Sequence, residues 1–233
     1  MNEEMRVPLH IAVIPDGNRR WAKEQGFVAS KGYSRGGDYE HLKSLVNEAR
    51  RLGTKYFSFW GFSTENWARG ESEKNEIFKL VLRNIEKFRK DALENNLRFR
   101  HIGRKDRLPE NILSELEKLE KETEKFSDFN VLLCLDYGGR DEIVRAVRKI
   151  ISEKISLSEI NEKKFSSYLD TKDIPDVDLI IRTAGEKRLS GFMPFQSTYS
   201  ELYFSEKFFP EFGADDLRKA IEEYGKRKRN FGA

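Results

Sequence analysis

The residues best suited to chemistry in this 233-residue chain form one run, Pro15-Asp16-Gly17-Asn18-Arg19-Arg20-Trp21. An acid, a glycine, an asparagine and two arginines stand together just after the apolar stretch His10–Ile14. Backbone amides at such a turn, with arginine forks beside them, suit a diphosphate. The carboxylate suits a divalent cation that bridges the diphosphate. Asp-Gly alone more often marks an ordinary turn; the full string carries more charge and more donors than a turn requires.

Two further runs have the same character. Phe62-Ser63-Thr64-Glu65-Asn66-Trp67-Ala68-Arg69 follows an aromatic stretch. Ser63 or Thr64 can serve as a helix cap, but Asn66 and Arg69, set beside Trp60 and Trp67, exceed what a cap needs. In Arg182-Thr183-Ala184-Gly185-Glu186-Lys187-Arg188-Leu189-Ser190, two arginines flank a glycine. They can converge on one diphosphate with help from the Ser190 hydroxyl. Asp16 and Glu201 can share one magnesium ion, which keeps several waters and takes oxygens from phosphate.

Other chemistries lack their residues. There is no G-x-x-x-x-G-K-S/T string for a nucleotide phosphate loop. Gly36-Gly37 and Gly138-Gly139 do not make G-x-G-x-x-G. His10, His41 and His101 have no metal-ligand spacing with one another or with Cys134.

These runs need a frame to hold them. Apolar runs at His10–Ile14, Lys55–Phe62, Leu97–Ile102, Val131–Leu135, Val177–Ile181 and the short Glu201–Phe204 read as strands. Helical periodicity fills Tyr39–Leu52, Ser72–Asn95, a stretch begun by Pro109, Asp141–Ile151, Ile160–Leu169 and Asp215–Tyr224. In Ser72–Asn95, the residues Ile77, Val81, Ile85, Phe88 and Ala92 make one continuous apolar face. Strands alternating with helices imply an α/β fold with a doubly wound, mostly parallel sheet of about six strands flanked by helices. Ligands in such sheets bind beyond the carboxyl ends of the strands, which is where the three polar runs fall.

Bulk properties agree with one domain spanning residues 1–233. Forty-three basic and 40 acidic residues give a net charge of +3. That balance supplies no field for nucleic acid, so none is expected as a partner. The single cysteine, Cys134, sits in an apolar run and is expected to be buried. The first eight residues are polar, and no stretch nears the roughly 18 apolar residues of a membrane span. A cytoplasmic protein is expected, one that can still work at a membrane surface.

The runs together resemble the cis-prenyltransferases, the undecaprenyl diphosphate synthase family. His10-Ile-Ala-Val-Ile-Pro-Asp16-Gly17-Asn18-Arg19-Arg20-Trp21-Ala22-Lys23 is similar to the first family signature, and Phe62-Ser-Thr-Glu65-Asn66-Trp67 to the second. Tyr137-Gly138-Gly139-Arg140, Ile181–Ser190 and Tyr199-Ser-Glu201-Leu-Tyr-Phe204 resemble the others. The matches run in order from about residue 9 to residue 232.

The resemblance implies a transferase that joins isopentenyl diphosphate to an allylic prenyl diphosphate, farnesyl or geranylgeranyl. The product it implies is a long cis-polyprenyl diphosphate, about undecaprenyl in length and the precursor of a glycosyl carrier lipid. It implies magnesium, with Asp16 as the central acid and Glu201 as a second carboxylate near the metal. Gly17, Asn18, Arg19, Arg20 and Trp21 would cradle the allylic diphosphate. Arg182, Arg188, Leu189 and Ser190 would hold isopentenyl diphosphate. Ser63, Thr64, Glu65, Asn66, Trp67 and Arg69 would lie between the substrates, with Asn66 placed for proton removal. The long helix and the strand at Val131 would wall a hydrophobic tunnel, with Val131 a candidate floor. A dimer is implied, as homodimer or heterodimer.

The sequence departs from the family pattern in places. Ala29 and Tyr33 stand where members often carry Arg and His. Near the end, Asn230-Phe231-Gly232 replaces an Arg-x-Gly motif, with Arg229 one residue early. These departures keep two alternatives open: a subunit of a two-component cis-prenyltransferase, and an enzyme using a short or non-standard acceptor.

Overall fold

The computed structural model describes residues 6–228. Arg229, Asn230 and the expectations attached to them lie outside the described residues. Six strands form one sheet: β1 (His10–Ile14), β2 (Tyr56–Ser63), β3 (Leu97–Ile102), β4 (Phe129–Tyr137), β5 (Leu179–Arg182) and β6 (Glu201–Phe204). Their order is β3-β4-β2-β1-β5-β6, and every pairing is parallel. Parallel strands require crossovers, and eight helices supply most of them: α1 (Asn18–Glu24), α2 (Ala29–Gly36), α3 (Tyr39–Arg51), α4 (Glu71–Asn95), α5 (Glu110–Thr123), α6 (Gly139–Ser152), α7 (Glu162–Ser166) and α8 (Ala214–Lys226).

β1 shows why both sheet faces are covered. All five of its residues are buried. Strand geometry sends alternate side chains to opposite faces. Ile11 and Val13 join Leu45, Phe209 and Leu217 on one face, while Ala12 and Ile14 join Tyr137, Phe192 and Met193 on the other. A third cluster forms where Ile77, Phe78 and Ile85 of α4 meet Leu116 and Leu119 of α5. Cys134 lies at zero exposure in β4, and burial pushes its thiol well above the ordinary range. Among the described residues, no helix is long and apolar enough to cross a membrane.

Strand order runs outward from β1 in two directions, to β2 on one side and to β5 on the other. The carboxyl ends of β1 and β5 therefore flank a topological switch point, the usual place for a ligand crevice.

Several boundaries differ from the sequence expectation. The strand expected at Val177–Ile181 is Leu179–Arg182. The Val177 amide bonds the Gln196 carbonyl at 3.0 Å instead of a strand neighbour. The helix expected over Ile160–Leu169 shrinks to Glu162–Ser166, capped by Asn161, whose side chain accepts from the Lys164 amide at 2.9 Å. α2 was not expected, because Gly32 and Gly36 weaken its helical pattern. Those glycines are what allow the helix its place: a Cβ on Gly32 would sit 2.0 Å from the Asn18 carbonyl oxygen.

Candidate active site

The turn after β1 builds the centre of the site. Gly17 has φ +94°, a conformation that costs glycine little. A side chain there would also strike Phe208 and Ala184, at 2.6 and 2.7 Å. This turn aims Asp16 at the end of β5. The Gly17 amide donates to Asp16 Oδ1 at 2.7 Å. Arg182 Nη2 donates to Asp16 Oδ2 at 2.9 Å, and Arg20 Nη2 stands 3.3 Å from Oδ1. Burial by itself would raise the Asp16 carboxyl. The Arg182 hydrogen bond, the Gly17 amide and the nearby guanidinium charges outweigh it and hold the group below the ordinary carboxylate range.

The run after β5 completes the edge. Arg182 Nη1 donates to Ser190 Oγ at 2.8 Å and to the Arg188 carbonyl. Arg20 and Arg188 both pair with Glu186, the former at 3.0 Å. The side chains of Arg20 and Arg188 are 44% and 60% exposed, so both can swing toward an anion. Two buried polar atoms here have no partner, Asn18 Oδ1 and Arg182 Nε. Buried polar atoms are seldom left unpaired without reason. An unpaired guanidinium N–H beside a carboxylate and an unpaired amide oxygen on Asn18 suit an anion with its counter-cation.

The run after β2 forms the opposite wall. Thr64–Ala68 is a single 3₁₀ segment. Asn66 Oδ1 accepts from the Ser63 amide at 3.1 Å, which fixes the amide group of Asn66 at the wall. Arg69 Nη1 donates to the Tyr33 hydroxyl at 3.0 Å and lies 3.2 Å from Glu73, and that hydroxyl in turn donates to Glu73 at 2.6 Å. Tyr33 thus positions Arg69, a role that no local sequence signal announces.

Behind this edge lies a cavity of about 660 Å³. Asp16, Asn18, Ser63, Glu65, Asn66, Arg69, Arg182 and Ser190 line its polar end. Leu42, Val46, Val81, Ile85, Phe88 and Val131 line its apolar length, between α3 and α4 over the sheet.

Other expected site residues stand elsewhere. Trp67 packs against Phe62 and Phe78, and its indole N–H donates to the buried Asp136 at 2.8 Å. Leu189 packs with the cluster of Phe192 and Met193. Thr64 abuts Gly138, where a Cβ would meet its Oγ1 at 2.2 Å. Trp21 lies beside Phe27, ring centres 6.0 Å apart, and Arg19 is exposed on α1.

Glu201 corrects an expectation. It pairs in register with Leu179, the first residue of β5, whereas Ile14 pairs with Arg182, the last. At about 3.3 Å per residue the offset is roughly 10 Å along the sheet, before the two further residues to Asp16. Glu201 instead holds Arg227 of the C-terminal segment at 2.9 Å. Within one chain the two carboxylates therefore stand well apart. Among the described residues no three His, Cys, Asp or Glu side chains cluster to hold an ion. A lone carboxylate still fits magnesium, which commonly takes one or two carboxylates plus phosphate oxygens and water.

Residues 14–232 match the prenyltransferase family profile described as "Putative undecaprenyl diphosphate synthase". The isoprenyl transferase of Thermotoga maritima is 42% identical over 233 residues, covering 98% of each chain. That of Aquifex pyrophilus is 41% identical over 228 residues, covering 98% of this chain and 97% of its own. Among solved structures, lavandulyl diphosphate synthase from Lavandula x intermedia, in complex with dimethylallyl diphosphate, superposes with a TM-score of 0.92 at 33% identity, over 97% of this chain and 99% of its own. A probable undecaprenyl diphosphate synthase from Campylobacter jejuni gives 0.81 at 33% identity over the whole of both chains. With its parallel sheet, its Asp16–Arg182 crevice and these relatives, the chain belongs to the undecaprenyl diphosphate synthase family and is a prenyltransferase of the prenyl diphosphate synthase type.

Proposed function

We propose that the enzyme condenses isopentenyl diphosphate in cis with an allylic prenyl diphosphate, farnesyl or geranylgeranyl, and repeats the step to make a long-chain polyprenyl diphosphate. One observation carries this reading: an apolar cavity of about 660 Å³ opens directly onto the Asp16–Arg182–Ser190 crevice. A diphosphate held at the crevice would leave its hydrocarbon in the cavity. Each buried CH₂ contributes about 0.8 kcal/mol, so the growing chain favours the cavity over water. This is the sense in which the cavity serves as the tunnel.

The residues divide the work. The turn at Gly17 to Arg20, with Asn18, faces the allylic diphosphate. Arg182, Arg188 and Ser190 face the diphosphate of isopentenyl diphosphate. In each cycle the allylic C1–O bond breaks and its electron pair leaves with the diphosphate. The alkene of isopentenyl diphosphate then bonds to C1, and loss of a proton sets the new double bond. Arginine charge stabilises the departing anion. Fixed placement of the second substrate replaces a bimolecular encounter. Asn66, held by the Ser63 amide, stands at the wall between the substrates, where the proton leaves. Magnesium, held by Asp16 and diphosphate oxygens, would supply further charge neutralisation for the leaving group.

A homodimer accompanies this reading. Val144, Val147 and Ile151 recur along one side of α6 and are 48%, 41% and 68% exposed. Such a stripe suits a self-complementary contact.

The test is an extension assay with the purified chain, magnesium, labelled isopentenyl diphosphate and each of dimethylallyl, farnesyl and geranylgeranyl diphosphate. A ladder of cis products from farnesyl or geranylgeranyl diphosphate is the expected result. A folded protein that extends none of the three would overturn the proposal.

A further inference from the structure

The apolar cavity changes character at its far end. α4 begins beside the crevice, where Glu73 meets Arg69 at 3.2 Å. Asp91 is 18 residues further along the same helix, about 27 Å at 1.5 Å per residue. There α4 hands over to Leu97 at the amino end of the sheet, away from Asp16. Asp91 faces the cavity together with Tyr39 and Lys43 of α3. Lys43 Nζ lies 2.6 Å from Asp91 Oδ2, and the Tyr39 hydroxyl donates to the same oxygen. Lys43 and Lys87 each lie 5.8 Å from the centre of the Tyr39 ring. Tyr39 is only 7% exposed. A channel walled mainly by apolar side chains, with the neutral amides of Asn47 and Asn84 among them, thus ends at its one Lys–Asp ion pair, with a buried phenol beside it, tying α3 to α4.

Hydrocarbon cannot replace any of these bonds. A chain that advanced past the cluster would have to part Lys43 from Asp91 or strip water from both, and either is unfavourable. Elongation is favourable while each new unit reaches apolar wall, and ceases to be where the wall turns polar.

We propose that Tyr39, Lys43 and Asp91 form a polar boundary that sets product length. The inference rests on the synthase reading above and adds the residues that end each chain.

The experiment compares the wild type with Asp91→Leu, Lys43→Met and Tyr39→Phe, with labelled isopentenyl diphosphate, the preferred primer and products sized by chromatography. The expected result is a main product longer by one or more C5 units in Asp91→Leu and Lys43→Met, with a smaller shift in Tyr39→Phe. Should Asp91→Leu fail to fold, Lys43→Met carries the test, because the Lys43 side chain is 35% exposed and its replacement is expected to cost little stability. Folded variants with the wild-type length distribution, or a shorter one, would overturn the boundary while leaving the synthase reading standing. A wild type that makes no polyprenyl product would overturn both.

Discussion

Asp16 and Arg182 meet at 2.9 Å across the switch point of the sheet, a carboxylate from the end of β1 against a guanidinium from the end of β5. Each neutralises the other when no substrate is bound. On the proposed reading, an incoming diphosphate would compete with Asp16 for Arg182, and a cation would compete with Arg182 for Asp16. Bringing both together would let each group exchange its partner without either charge being left alone.

Asp16→Asn keeps the shape of the side chain and the acceptor for the Gly17 amide, but removes the charge. Turnover should fall by about 10²–10³-fold, the usual loss when an electrostatic contributor is removed. The fold should persist, with a stability loss of about 1–2 kcal/mol from leaving Arg182 without its counter-charge. Steady-state kinetics and a thermal melt on the same preparation check both. Wild-type turnover in this variant would remove Asp16 from the mechanism.

Asn66 both shapes the 3₁₀ segment and faces the cavity. Asn66→Asp retains the Oδ1 that accepts from the Ser63 amide, so stability should stay within about 1 kcal/mol of wild type. It loses the NH₂ group, and kcat should drop by about 10²-fold or more if that group takes part in proton removal. Asn66→Ala should lose both the cap and the activity. If kcat in Asn66→Asp stays near wild type, Asn66 is a cap and nothing more.

Gly32 tests the packing that places Asn18. A Cβ at this position would lie 2.0 Å from the Asn18 carbonyl oxygen and 3.3 Å from Ala22 Cβ. Backbone cannot yield as a flexible side chain can, so Gly32→Ala should cost about 1–3 kcal/mol and raise KM for the allylic substrate as α1 shifts. Gly70→Ala is the control. Nothing lies within 4 Å of a Cβ there, and a change of a few tenths of a kcal/mol, about what a capping glycine contributes, is expected. Equal melting temperatures for the two variants would contradict the close packing of α1 on α2.

His10 gives the fold a pH dependence. Burial lowers its pKa to about 4, against the raising influence of the Pro175 carbonyl and Asp178. Its Nδ1 lies 2.8 Å from that carbonyl and its Nε2 2.7 Å from Ser58 Oγ, so the neutral ring is satisfied on both sides. Between about pH 6.5 and 4 the unfolded chain protonates this histidine while the folded protein does not. The unfolded state then binds more protons, so stability falls as pH falls, by up to about 1.4 kcal/mol per pH unit for this site. Burial lowers His41 and His101 in the same sense. Urea unfolding at a series of pH values should show a shallower slope for His10→Gln than for the wild type. Parallel slopes would mean that His10 titrates as it does in the unfolded chain.

What could be read from the sequence was whatever lies close together along it. The apolar run His10–Ile14 ends at a proline, and the acid, glycine and arginines that follow had to fall at the end of a strand. The same holds for Arg182 to Ser190 and for Ser63 to Arg69. Contacts set by strand register were not legible. Glu201 lies near Tyr199 and Phe204 in every local pattern, yet its register with Leu179 sends it to the far edge, where Arg227 holds it. Trp67 looks like a ligand platform until Asp136, 69 residues away, accepts its indole N–H. α2 was hidden because glycine lowers helix propensity locally and gains its value only from the close approach to Asn18. Tyr33 stood out as a departure, but its partners Arg69 and Glu73 come from a different segment of the chain.

Cys134, the only thiol in the chain, is sealed within β4. A thiol reagent can reach it only when the sheet itself comes apart, so its modification rate counts the rare molecules that have opened. A ligand that binds the closed form alone should slow that reaction by the factor one plus its concentration over Kd. The protein thereby carries its own chemical clock, in which the affinity of a diphosphate at one edge of the sheet is timed by a sulfur that never touches it.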